Sequence, residues 1–304
     1  MRSTFVRCLT EKAEIDDRIF LLTPDMGYSV LEIFRDKFPS RFCNTGIAEQ
    51  NTIGIASGLA LLGKVVYVYS IIPFVTMRCF EQIRVDVAYM NTNVRIIGVG
   101  AGLSYGPAGA THHSIEDISI IRSLPNFTVC CPGDPLEVKR IINQSINHKG
   151  PMYIRLAKNN EINIHNENDK IEIGKASLVK EGKDFVLITT SNMLEIGNKW
   201  CVEWESEGIN ATLISMHTIK PLDTDIIKAV INNNTPIITL EEHNIIGGLG
   251  SAVSEVIAES GVAVKFKRIA INDEYTHLIG SQNYLRNKLG LIQKPDLNKI
   301  FLKN

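Results

Sequence analysis

The chain has 304 residues, of which 44% are hydrophobic and 21% charged, with a formal net charge of −1 at pH 7. This balance gives no electrostatic case for nucleic acid or an anionic membrane as partner, and the length exceeds the comfortable size of one core, suggesting two domains. No run of about 18 apolar residues occurs, and the opening "MRSTFVRCLTEKAEIDD" carries charges where a signal peptide needs its apolar core, so a cytoplasmic protein is expected.

Short β-rich runs alternate with helical patterns, which predicts an α/β chain with parallel sheets and crossover helices. The first strands are expected at "RIFLLT", "VVYVYS", "VRIIGVG", "FTVCCP" and "MYIRLA", with amphipathic stretches "RCFEQIRVDVAYM" and "PLEVKRIINQSINH" among them. The polar "KNNEINIHNENDK" then breaks the periodicity and reads as an interdomain linker. The boundaries drawn are a first domain 1–158, a linker 159–170 and a second domain 171–304. In the second, strands are expected at "DFVLITTS", "NATLISMHT", "PIITLEEH" and "VKFKRIAI", with helices near Met193 to Ser206, Thr224 to Asn232 and Gly250 to Ser260.

Six cysteines, Cys8, Cys43, Cys79, Cys130, Cys131 and Cys201, contain no C-x-x-C pair. Neither a zinc site nor a disulfide framework is indicated, and mostly buried, reduced thiols are expected. In "FTVCCP" a strand would point Cys130 and Cys131 to opposite faces.

The segment "FCNTGIAEQNTIGIASGLALLG", residues 42 to 63, predicts a buried helix with one polar turn. Gly54 and Gly58 share a face and allow another backbone or a flat ligand to come close. Each costs about 1 kcal/mol relative to Ala in a helix interior, so a packing reason is expected. Taken alone, Glu49 reads as a first-turn carboxylate complementing the helix dipole.

"FCNTGIAEQN" resembles the catalytic-glutamate segment of the transketolase family of thiamine diphosphate enzymes, whose relatives include deoxyxylulose-phosphate synthase. The resemblance continues, in order, through "YSIIPFVTMRCFEQIR", "GAGLSYGPAGATHHSIEDISIIRSLPNFTVCCPGDPLEV", "MHTIKPLD" and "EEHNIIGGLGSAV". It implies two parallel-sheet α/β domains, a thiamine diphosphate pyrimidine-binding fold followed by a transketolase C-terminal domain. It implies that Glu49 hydrogen-bonds the cofactor's aminopyrimidine and favours its imino tautomer, in an apolar setting that would raise a carboxyl pKa. Phe74 matches the aromatic that stacks on the pyrimidine, and Met77 falls at a cofactor-pocket position where many transketolases have tyrosine.

His112 matches the family's active-site histidine. His113 with Ser114 is similar to the "HS" step of two-oxo-acid dehydrogenase beta subunits, so either ring is a candidate to face substrate. Lys158 stands where transketolases place an arginine on the sugar phosphate, and Arg78 is an alternative anion contact. Two family groups that read the substrate are replaced, by Gly100 and Ala108, which predicts altered specificity. His217 and His243 are expected to be structural or interfacial.

The family's diphosphate and divalent cation are held by a GDG motif and a downstream asparagine, and this sequence has no GDG. No metal ligand is therefore assigned here. The resemblance implies one subunit of a split enzyme, with Mg²⁺ (or Ca²⁺) held by an amino-terminal transketolase-like partner, and a two-fold dimer of this chain within a heterotetramer. The expected activity is transfer of a two-carbon ketol unit from a ketose to an aldose-type acceptor, a sugar or sugar phosphate. A synthase-like or two-oxo-acid dehydrogenase or decarboxylase subunit, and a catalytically silent assembly subunit, stand as alternatives.

Overall fold

The computed structural model describes residues 1–159 and 161–301. Among the described residues twelve strands occur: β1 (Ile19–Thr23), β2 (Phe42–Asn44), β3 (Val65–Ile71), β4 (Val94–Val99), β5 (Thr128–Cys130), β6 (Met152–Leu156), β7 (Ser177–Lys180), β8 (Phe185–Thr189), β9 (Ala211–Ser215), β10 (Thr218–Lys220), β11 (Ile237–Asn244) and β12 (Phe266–Ile271). They form a seven-stranded sheet in the order β10-β5-β6-β4-β3-β1-β2 and a five-stranded sheet in the order β12-β11-β8-β9-β7. All pairings are parallel except β10 on β5 and β7 on β9.

Strands β3 and β4 are buried along their whole length, as a parallel sheet covered on both faces requires. Alternate residues feed opposite layers: Val66 and Val68 enter one core cluster, Tyr67 and Tyr69 the other. Cys130 and Cys131 divide between the same two clusters, so the opposed pointing expected of them is observed. Five of the cysteines are buried and Cys43 is exposed.

The nine strands expected from the sequence all form. The three further ones, β2, β7 and β10, have three or four residues and lie outside continuous apolar runs, whereas the equally short β5 sits inside the run "FTVCCP". Beyond the linker, β10 returns to the first sheet, and Tyr153 and Cys131 share a core cluster with Ile188, Ile214 and Leu249. The two halves are thus packed through one apolar layer. The run "RCFEQIRVDVAYM", expected as one amphipathic helix, becomes a single α turn at Phe80–Gln82 followed by a π-helix, Ile83–Tyr89.

The segment expected as a linker is fastened to the first half at residues 164 and 165. Asp134 Oδ2 accepts from the backbone N–H groups of Ile164 and His165, and the His165 ring lies 3.0 Å from the same oxygen. Among the described residues no helix is long and apolar enough to cross a membrane.

Candidate active site

The side chains singled out from the sequence follow the carboxyl ends of parallel strands in the first sheet, where α/β sheets place their ligands. Glu49 opens the Glu49–Leu61 helix after β2. Phe74, Met77 and Arg78 follow β3, the glycine-rich loop with His112 and His113 follows β4, and Lys158 follows β6.

Glu49 is 4% exposed, yet its surroundings are not the wholly apolar ones expected. Arg78 Nη1 donates to Glu49 Oε2 at 2.8 Å, and the same guanidinium carbon lies 4.3 Å from the Phe74 ring centroid. His112 meets Phe74 edge-on, with centroids 5.0 Å apart. Burial beside the Glu49 carboxylate pushes the Cys79 thiol up to about 12, so it is inert at neutral pH; its Sγ donates to the Phe74 carbonyl at 3.1 Å. Met77 is 36% exposed at the outer edge.

On the far side of His112 lies Tyr105, at 5.9 Å between centroids, with Lys158 Nζ 4.0 Å from the Tyr105 ring centroid. Burial, and then the Lys158 charge, holds His112 below the usual histidine range. Burial likewise lowers Lys158, with Arg2 as the second cause. The Arg2 charge also counteracts the raised pKa of the Tyr69 and Tyr105 phenols. Arg2 went unremarked in the sequence because nothing about its spacing sets it apart.

Gly100 has φ +96°, and a Cβ there would come within 2.3 Å of the Tyr105 ring. The Tyr105 ring therefore occupies the space beside Gly100. Of the adjacent histidines, His112 adjoins Phe74, whereas His113 is buried, with Nε2 unpartnered. Burial lowers the His113 pKa, offset in part by the Gly106 backbone and Glu242.

The loop carrying both histidines is braced from the second half. Glu242 packs where a Cβ on Gly102 would meet it at 2.5 Å. Its carboxylate accepts two bonds from Arg286, at 2.9 and 2.8 Å, two from Gln282, at 3.2 and 2.9 Å, and one from Asn192 at 2.8 Å; Gln282 also donates to Ser104 Oγ at 3.2 Å. His217 and His243 are fully buried.

The Glu49–Leu61 helix departs from expectation on one face. Thr52, Ile53, Ala56, Ser57 and Ala60 are buried, but Gly54 and Gly58 are exposed, and a Cβ on either would meet nothing within 4 Å. Ile47, Leu61 and Leu62 extend this open surface.

Residues 1–161 match the family described as "Transketolase, pyrimidine binding domain", and residues 174–291 "Transketolase, C-terminal domain". The chain is 36% identical over 295 residues to the 6-deoxy-6-sulfo-D-fructose transketolase subunit SqwH of Clostridium sp. (strain MSTE9), covering 97% of this chain and 91% of that protein. It is 40% identical over 259 residues to an apulose-4-phosphate transketolase subunit of Actinobacillus succinogenes, covering 85% of this chain and 83% of that protein. A solved structure described as a split gene transketolase, inactive beta4 tetramer, superposes with a TM-score of 0.86 at 32% identity, covering 95% of this chain and 93% of that one.

Proposed function

The chain belongs to the transketolase family, and from that premise we propose that Glu49, Phe74 and His112 form one wall of the active site of a two-component, thiamine diphosphate-dependent transferase. The enzyme moves a two-carbon ketol unit from a ketose donor to an aldose-type acceptor, and this chain is its C-terminal subunit, working with a partner subunit. The observation that carries the reading is the convergence of a buried carboxylate, an aromatic ring and a histidine of lowered pKa at one sheet edge.

These residues suit the pyrimidine end of the cofactor. Glu49 offers a carboxylate acceptor beside the flat Phe74 ring, and the carboxylate can hold or return the proton of a ring nitrogen. When bound, thiamine diphosphate supplies the carbon nucleophile that carries the two-carbon unit. Burial and the Lys158 charge favour the neutral form of His112, whose imidazole can accept a proton from a substrate hydroxyl and give it back. Among the described residues no group of three or more His, Cys, Asp or Glu could hold a metal. We assign the diphosphate and its Mg²⁺ or Ca²⁺ to an amino-terminal partner carrying a GDG motif and a downstream asparagine.

Lys158 and Arg2 fit the anionic end of a substrate. The names of the two relatives point the same way, one specifying a sulfo sugar and the other a sugar phosphate. The open face of the Glu49–Leu61 helix is the surface we assign to subunit contact within a heterotetramer.

The test is transfer activity of the complex reconstituted with its amino-terminal partner. Glu49→Gln should leave assembly intact and reduce ketol transfer by orders of magnitude. Unchanged turnover would remove Glu49 from the chemistry, and carbon dioxide release from pyruvate without ketose turnover would favour the synthase or decarboxylase alternative.

A further inference from the structure

One side chain already makes both contacts that the cofactor's ring would need. Arg78 donates to the Glu49 carboxylate at 2.8 Å and lies 4.3 Å over Phe74. A guanidinium is planar, delocalised and edged with N–H donors. It therefore offers a carboxylate a donor edge and an aromatic ring a flat face, as an aminopyrimidine does. We propose that Arg78 stands in for the aminopyrimidine in the unassembled chain and must swing out of the site before that ring can enter. The inference rests on reading Glu49 and Phe74 as the pyrimidine site.

Burial explains why a stand-in is needed. The Glu49 side chain is 5% exposed, and a carboxylate so enclosed is costly without a counter-charge or a donor. Among the described residues Arg78 is the cation paired with it. The Arg78 side chain is itself 43% exposed, so its head can leave for water on a flexible stem while the carboxylate stays. Its backbone need not follow, because the N–H groups of Met77 and Arg78 remain bonded to the Pro73 carbonyl at 3.1 and 3.3 Å.

The competition is measurable without turnover. The free chain is titrated with the cofactor's aminopyrimidine as an isolated fragment, read by ligand-observed NMR, which detects weak binding. Arg78→Ala should bind the fragment about tenfold more tightly than the native chain, since the half-exposed guanidinium's ion pair and cation–π contact no longer compete. Adding Glu49→Ala to that variant should abolish the gain. Arg78→Gln, which keeps a hydrogen-bonding partner for Glu49 without the charge, gives the same comparison if the alanine variant does not fold, with a smaller gain expected. Equal or weaker binding by the Arg78 variants, or no detectable binding to them, overturns the proposal. Tight binding that survives Glu49→Ala would instead overturn the assignment of the pyrimidine site itself.

Discussion

Lys158 shows how one charge at the rim reaches the chemistry. It lies over Tyr105 and, after burial, is the second cause holding the His112 pKa down. Lys158→Met keeps the apolar stem and removes the charge. The variant's His112 should take up its proton at a higher pH than the native residue, so the acid limb of kcat/KM in the reconstituted enzyme should move to higher pH. Substrates with an anionic end should also lose affinity, reading as a raised KM. An unmoved acid limb would detach His112 from the ionisation that limits activity. At this scale the sequence indicated residue types and their order along the chain but not their neighbours. Glu49, Phe74 and His112 could be singled out from their segments, whereas the hold of Arg78 on Glu49 spans 29 residues and depends on how β3 delivers the following turn. Gly100 looked like a lost polar group until the fold placed Tyr105 over it.

Among the elements, the Glu49–Leu61 helix is the one whose sequence exceeds what the chain alone explains. Its composition reads as buried, yet half of it is open. We assign the apolar character to a contact outside the chain, which no single sequence can distinguish from a contact inside it. Gly54 and Gly58 test this directly, because added side chains meet nothing in the free chain. Gly54→Leu with Gly58→Leu should leave the melting temperature of the free chain unchanged or higher, since each helix glycine costs about 1 kcal/mol relative to Ala. The same pair should abolish assembly with the partner as read by sedimentation. Assembly at native affinity would mean that the face is not an interface. Strands inside continuous apolar runs were legible, the three-residue β5 included, because a buried parallel sheet writes such runs; β2, β7 and β10 lie outside them.

Across the whole molecule, the two halves are joined by more than the linker. Arg155 is fully buried and paired with Asp117 at 2.8 Å. It also donates to the carbonyls of Ser114 and Glu242, at 2.7 and 3.2 Å, and so ties the histidine loop to the second half. Nothing in the spacing of the sequence announced that a strand arginine would hold this junction. The joined halves present one edge with a carboxylate, an aromatic ring and a histidine, suited to one end of a cofactor whose other end is assigned to a partner. The most direct test is a crystal structure of the reconstituted complex with thiamine diphosphate and Mg²⁺. The account predicts the aminopyrimidine within hydrogen-bonding distance of Glu49 and alongside Phe74, with the diphosphate and metal held by the partner subunit. A ring remote from Glu49, or a diphosphate and metal held by this chain, would contradict it.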